Sequence, residues 1–329
     1  MAGTGIRSAR WALESNLISQ KLSRNSKKIH IFANDADTEG NALLRENLNQ
    51  VINKNISVKV SNEKAEKLLY KFFLEEKFIN LIDIDCFGCP NYLLQPAFKT
   101  LSFGGILVLS STDSRSTTGH DREAALRHFG ASSRVHPSSW ELALRLQICA
   151  IARHSWLLGR GIKPLASFSD GRTFRLIIQY EKKIKKGVEN NIGFISRCSN
   201  CGNQLLTSMK RLNHLTKCNC NDEARKELIN GPLWLGELQD TEFLKELINI
   251  AERQEIPISK QSNKLIRKLI SDPGFPACCW SIAELAQRLS LKSQPKAHLL
   301  AKALREEGFI GITSSIMPGQ IRSNAPLQE

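Results

Sequence analysis

From Met1 to about Tyr180, short apolar runs alternate with helix-like stretches, and this alternation constrains the fold more than any other feature of the chain. Strand, helix and strand in succession require crossover connections, so the strands lie parallel and helices cover both faces of the sheet. The strand runs are Lys28 to Phe32, Ser57 to Val60, Phe78 to Asp85, Ile106 to Ser111 and Phe174 to Tyr180. Helices are predicted from Gly40 to Asn49 and from Ser139 to Leu158. The charged run Glu181-Lys182-Lys183-Ile184-Lys185-Lys186-Gly187 then breaks the pattern. The 329 residues thus divide into an α/β domain over 1–182 and a second domain over 183–329.

Three features of the first domain point to chemistry. The chain opens on Ala2-Gly3-Thr4-Gly5-Ile6-Arg7, a glycine turn that leads into a helix and lets backbone approach a ligand closely. Position 8 is Ser rather than the third glycine of a dinucleotide fingerprint, which favours an S-adenosylmethionine site over a dinucleotide one at the turn of Gly3 and Gly5. The next strand ends in Asn34-Asp35, where an acid accepts hydrogen bonds from ribose hydroxyls; a helix cap is the other reading of Asp35. Finally, Leu81-Ile82-Asp83-Ile84 runs into Asp85-Cys86-Phe87-Gly88-Cys89-Pro90, an acid and an aromatic at the strand end where open sheets hold ligands. Asp85 reads either as a catalytic acid or as a strand-end cap. The C-x-x-C spacing of Cys86 and Cys89 reads as chance, since a turn at such a strand end is a poor zinc knuckle.

The second domain carries Cys198-x-x-Cys201 and Cys218-x-Cys220, separated by 16 residues. Two close thiol pairs at this spacing predict a structural, tetrahedral Zn²⁺ in a zinc ribbon over 197–220, with His214 a spare ligand. Cys278 and Cys279 are adjacent and are assigned to the core. Helical periodicity over Ile282 to Leu289 and Ala297 to Glu307, then a strand start at Phe309 to Thr313, has the order of a winged helix within 240–324. The net charge of +14 implies a polyanionic partner, and Lys210, Arg211, Lys217, Arg225 and Lys226 offer a basic face for phosphates. No apolar run reaches the roughly 18 residues of a membrane span, and Met1 does not lead into a signal peptide. A cytoplasmic protein with no obligate protein partner is expected.

Together these residues resemble the tRNA (guanine-26-N2)-dimethyltransferase family, over nearly the whole chain. Ala2 to Arg7 is similar to its cofactor loop, Asn34-Asp35 to its ribose-binding acid and Asp85 to Pro90 to its D-P-F-G-S-P stretch. Thr112-Asp113, Glu141 to Arg145, Pro164 to Ser167, Gly231 to Gly236 and Ser323 to Pro326 also match. The resemblance implies a Rossmann-like class I methyltransferase sheet and transfer of methyl groups to N2 of a guanine in tRNA. It implies that Asp85 is catalytic and that Arg7, Asp35 and Ala65 contact the cofactor. Phe87 is placed to stack on the base, which must leave its helical stack to reach the pocket.

The chain departs from the family pattern at Lys64, where an acid is usual, at Cys86 and Cys89, and at Ser314-Ser315 in place of Thr-His. In a sheet of order 3-2-1-4-5 the family's first strand precedes Ala2, so a start assigned too far downstream is expected, with two strand edges left unpaired. Two other readings stay open: a family remnant that binds tRNA without transferring methyl groups, and a non-catalytic DNA reader built from the ribbon and winged helix.

Overall fold

The computed structural model describes residues 2–21, 28–214, 218–220 and 226–327. The first part runs α1 (Ile6–Lys21), β1 (Ile29–Asn34), α2 (Asn41–Asn49), β2 (Ile56–Ser61), α3 (Ala65–Leu74), β3 (Ile79–Asp85), α4 (Leu94–Thr100) and β4 (Leu101–Ser111). It continues through α5 (Ser114–Thr117), α6 (Arg122–Phe129), α7 (Ser139–Trp156), β5 (Gly161–Ser169) and β6 (Phe174–Glu181). All five predicted strands form. An additional strand, β5, pairs antiparallel with β6 at the sheet edge, with a register shift beside Pro164. Proline has no N–H to give a ladder, so it obscures a strand in sequence and is confined to an edge in structure.

These strands form two sheets. β1 and β2 make a parallel pair, and β3-β4-β6-β5 make a four-stranded sheet in which β3 and β4 run parallel but β6 runs antiparallel to β4, so the expected all-parallel arrangement does not extend to the last strand. Among the described residues, each of β1 and β3 keeps one edge outside any ladder, and both line a cavity of about 740 Å³. The apolar interiors follow the same division. Ala12, Ala33, Leu44, Leu48, Val51 and Ile56 form a small core around β1 and β2. A much larger core extends from Leu69 on α3 to Ile316 near the chain's far end. α7 is its axis, because nearly every side chain from Leu142 to Ala152 is buried. A helix buried on all sides belongs in an interior, and its polar Glu141, Arg145 and Gln147 are buried with its apolar residues.

Beyond residue 181 the chain adds an antiparallel sheet of β7 (Ile192–Cys198), β8 (Gln204–Ser208) and β9 (Glu227–Trp234), in the order β8-β7-β9. Two strongly amphipathic helices follow, α8 (Thr241–Arg253) and α9 (Lys260–Ser271), capped by the Asp240 and Ser259 side chains. The chain closes with β10 (Cys279–Ser281), α10 (Ile282–Arg288), α11 (Ala297–Glu306), β11 (Ile312–Thr313) and β12 (Gln320–Arg322), the strands ordered β10-β12-β11. Cys278 and Cys279 are buried.

A buried ion network joins the two parts. Glu141 on α7 accepts from Arg145 Nε at 2.9 Å and from Arg322 Nη2 at 2.7 Å, and Arg322 Nε also donates to Asp272 at 2.7 Å. Burial pushes the Glu141 carboxyl up, but Arg322 and then Arg145 outweigh it and hold the group far below the usual carboxylate range. Arg145 Nη1 also donates to the carbonyls of Trp234 and Gly236, both at 2.9 Å. The Gly231 to Gly236 segment is thus a receptor for an arginine. A side chain at Gly236 would meet Asn191 and Trp234 at 2.9 Å.

Candidate active site and metal-ligating cluster

The glycine turn is fixed from two sides. Ala2 N–H donates to the Asn34 carbonyl at 3.0 Å, so the turn is hydrogen-bonded to the C-terminal end of β1. Gly3 N–H donates to Asp35 Oδ2 at 2.7 Å, and Asp37 N–H donates to Oδ1 at 3.1 Å. Partial burial raises the Asp35 carboxyl, and hydrogen bonds, those from Gly3 and Asp37 among them, outweigh it and leave it below the ordinary value. Gly5 has φ +84°, and a Cβ there would lie 2.9 Å from Leu44 Cδ1 and 3.1 Å from Leu48 Cγ. Only glycine lets the turn rest on α2. Gly3, Gly5 and Asp35 therefore lie together, and Ala65 opens α3 on the wall of the 740 Å³ cavity. The absence of side-chain bulk at residue 65 leaves room there. Its neighbour Lys64 is exposed and makes no side-chain cap bond.

Arg7 crosses from this turn to the end of β3. Its Nη2 lies 2.8 Å from Asp85 Oδ2, and its Nη1 donates to Asp83 at 3.0 and 3.3 Å. Trp11 Nε1 adds a bond to Asp83 at 3.1 Å. Asp83 is the more enclosed acid; burial raises its carboxyl above the ordinary value despite Trp11 and Arg7. The guanidinium of Arg7 is thus committed to two carboxylates, and through it the helix that follows the glycine turn is tied to residue 85.

The turn after Asp85 is clamped to the end of β4. Gly88 N–H donates to Thr112 Oγ1 at 2.8 Å, while the Gly88 carbonyl accepts from Ser111 Oγ at 3.1 Å and from Thr112 N–H at 3.3 Å. Thr112 is the residue of the Thr112-Asp113 pair that makes this clamp. At the tip of the turn, Phe87 is 98 % exposed. A large aromatic held in solvent beside two carboxylates is available to stack on a flat partner. Cys86 and Cys89 are half-buried free thiols.

Far along the chain, Cys198, Cys201, Cys218 and Cys220 converge, with all four sulfur atoms within 4.8 Å of one another. Cys198 Sγ lies 3.6 Å from Cys220 Sγ, and Cys201 Sγ lies 3.3 Å from Cys218 Sγ. These separations exceed a disulfide bond of about 2.05 Å. They approach the spacing of about 3.8 Å that Zn–S bonds of about 2.3 Å give in a tetrahedron. The donor set and its geometry fit a zinc ion. Burial, then Cys218 and Cys198, push the Cys201 thiol up to about 12. A divalent cation among the sulfurs relieves that crowding by taking them as thiolates. Of the expected basic face, Lys210, Arg211 and Lys226 are exposed, whereas Lys217 and Arg225 lie outside the described residues, as does the His214 side chain.

Sequence reasoning overlooked Asp83, Trp11, Asp272 and Arg322. A signal for the first was present: Asp83 and Asp85 are two apart in a strand and so share one face. The other three carry no local signal. Among the described residues, no helix is long and apolar enough to cross a membrane.

The profile of the family described as N2,N2-dimethylguanosine tRNA methyltransferase matches residues 1–329. A tRNA (guanine(26)-N(2))-dimethyltransferase of Methanobrevibacter smithii is 26 % identical over 329 residues, covering 99 % of this chain and 80 % of that protein. One from Saccharolobus solfataricus is 27 % identical over 308 residues, covering 92 % and 76 %. Among solved structures, Trm1 from Pyrococcus horikoshii in complex with S-adenosyl-L-methionine superposes with a TM-score of 0.77 at 20 % identity, over 97 % of this chain and 92 % of that one. The α/β fold is therefore of the class I methyltransferase kind.

Proposed function

This chain belongs to the N2,N2-dimethylguanosine tRNA methyltransferase family, and on that premise we propose that it methylates N2 of guanine 26 in tRNA through the site at Arg7, Asp35 and Asp85. The observation that supports this reading is the 2.8 Å contact between Arg7 and Asp85, which joins the glycine turn to the acid at the end of β3.

The N2 lone pair of guanine is delocalised into the ring and is a weak nucleophile. Asp85 accepts the N2–H bond, localises that lone pair and takes the proton as the new N–C bond forms, then passes it to water. Arg7 holds the Asp85 carboxylate in place while leaving it 40 % exposed to the incoming base. Phe87 stacks on a guanine turned out of the tRNA helix. When bound, S-adenosylmethionine would supply the methyl group from its electrophilic sulfonium, whose S–CH3 bond breaks as the N2–C bond forms, so that S-adenosylhomocysteine leaves as the thioether. Asp35 would accept hydrogen bonds from its ribose hydroxyls, the glycine turn of Gly3 and Gly5 would give it a close backbone, and Ala65 would leave space for its base.

The proposal extends to the second part of the chain. The Cys198–Cys220 cluster is a zinc ribbon with a structural ion, and 240–324 is a winged-helix-like unit. With Lys210, Arg211 and Lys226, residues 183–329 grip tRNA phosphates without reading sequence, while 1–182 carries the chemistry, in the cytoplasm. The test is transfer of labelled methyl groups from S-adenosylmethionine to bulk tRNA, with nucleoside analysis. Label is expected in N2-methyl- or N2,N2-dimethylguanosine, and Asp85→Ala lowers the rate by about 10²–10⁴-fold. Transfer unchanged in Asp85→Ala sinks the assignment of that residue. Retained tRNA binding with no transfer by the wild type supports a tRNA-binding remnant instead.

A further inference from the structure

A second group of metal-ligand atoms lies at the reaction edge, distinct from the four-cysteine cluster. Cys89 Sγ, an Asp113 carboxylate oxygen and a His128 ring nitrogen all lie within 4.8 Å of one another. Each comes from a different element: the turn after β3, the turn after β4 and the last turn of α6. We propose that Cys89, Asp113 and His128 form a binding site for a zinc-class divalent cation, with one coordination position open to solvent.

The cluster is held together before any ion arrives. His128 Nδ1 lies 3.1 Å from Asp113 Oδ2, and Asp113 Oδ1 accepts the Ser116 N–H at 3.2 Å as the cap of α5. Asn91 Nδ2 donates to the His128 carbonyl at 2.8 Å, tying the Cys89 turn to α6. The Gly88 bonds to Ser111 and Thr112 fix the same turn to the strand that delivers Asp113. Three ligands on three mutually braced elements lose little freedom when an ion binds.

The chemistry of the donors selects the ion. One thiol, one imidazole and one carboxylate suit Zn²⁺, which accepts sulfur, nitrogen and oxygen in a tetrahedron; Mg²⁺ and Ca²⁺ call for oxygen alone. Three protein ligands leave a fourth position for water. Accessibility grades across the site, since the Asp113 side chain is 12 % exposed and that of His128 43 %. The ion therefore enters from the His128 side. Binding replaces the thiol proton of Cys89, which goes to bulk water, by the metal, and two protein charges, on Cys89 and Asp113, balance the cation.

The site does not rest on the methyltransferase reading, and its test measures metal directly. Metal-free full-length protein is titrated with Co²⁺ while the thiolate-to-cobalt charge-transfer band and the visible bands are recorded. The four-cysteine cluster takes Co²⁺ as well, so the informative quantity is the difference between proteins. Wild type is expected to bind one more equivalent than Cys89→Ser, with loss of single-thiolate intensity in the variant. Cys86→Ser should keep that extra equivalent. His128→Ala alters an accessible side chain and should weaken it at least about tenfold; it provides the measurement if Cys89→Ser does not fold. Equal stoichiometry and equal spectra in wild type, Cys89→Ser and His128→Ala overturn the site.

Discussion

The β1–β2 unit and the body built on β3–β6 are held in different ways. The first has six buried apolar residues and a two-stranded sheet. The second has a core that runs from α3 to Ile316, with a fully buried network of two arginines and two acids at its centre. Among the links between them are Arg7 and Trp11 on Asp83, Arg7 on Asp85, Lys21 of α1 on the Gln254 and Glu255 carbonyls, and Phe32 of β1 edge-on to Phe72 of α3 at 5.0 Å. The glycine turn and Asp35 ride on the lightly packed unit, whereas Asp85 stands on the heavy one. Local stability follows buried contact, so the unit expected to hold the cofactor is the part that opens most easily.

The largest effect expected from this contrast is in the heavy body. Glu141→Ala leaves Arg145 and Arg322 buried without their shared acid and should cost about 3–5 kcal/mol in chemical denaturation. A loss under 1 kcal/mol would mean the network is not what holds that body. The pH dependence has a definite sign. The Glu141 carboxyl is depressed on folding, so its contribution is complete above the ordinary carboxylate value of 4.5 and is lost only as pH falls through its folded value.

His136 is next. Its Nδ1 accepts the Ser138 N–H at 3.0 Å, and burial, followed by the Arg197 charge, pulls its pKa from 6.5 down to about 4. Between those values the unfolded chain is protonated and the native one is not. Stability should fall as pH drops through that window, by about 3 kcal/mol in all. His136→Gln should flatten that slope, and an unaltered slope in the variant would assign it to other groups.

Arg7→Ala tests the link itself. The side chain is 38 % exposed, so solvent screens the ion pairs and the cost is about 1 kcal/mol. Hydrogen exchange is the sharper readout: amides of β1 should exchange faster while those of β4 do not change. Equal acceleration in both would show that the two units open as one. The smallest effect on stability belongs to Phe87→Ala, within about 0.5 kcal/mol because the ring is almost wholly exposed. Transfer to tRNA should nonetheless fall by about 5–100-fold if the ring stacks on the base.

The same contrast explains what was legible in the sequence. The five predicted strands and the main helices come from local periodicity, and the structure keeps them within a few residues. The glycine turn was readable because Gly3 and Gly5 stand two apart at a helix start, and the thiol pairs because their spacing is short. The unreadable parts depend on partners remote in sequence. Asp272 and Arg322 look like surface charges until the fold buries them around Glu141, and β5 is hidden by Lys163 and Pro164. The Arg7–Asp85 contact spans 78 positions and two sheets, beyond any periodicity. The C-x-x-C spacing of Cys86 and Cys89 says nothing of Asp113 and His128, which only the fold brings to Cys89.

Arg322 lies 181 residues after Glu141. On a ribosome adding about 5–20 residues per second, Glu141 emerges roughly 10–40 s before that partner exists. During this interval α7 has Arg145 as its nearby counter-ion, and β12 has not been made. A nascent chain stalled before residue 322 would pair Glu141 with Arg145 alone and leave the Asp272 carboxylate without the arginine that neutralises it.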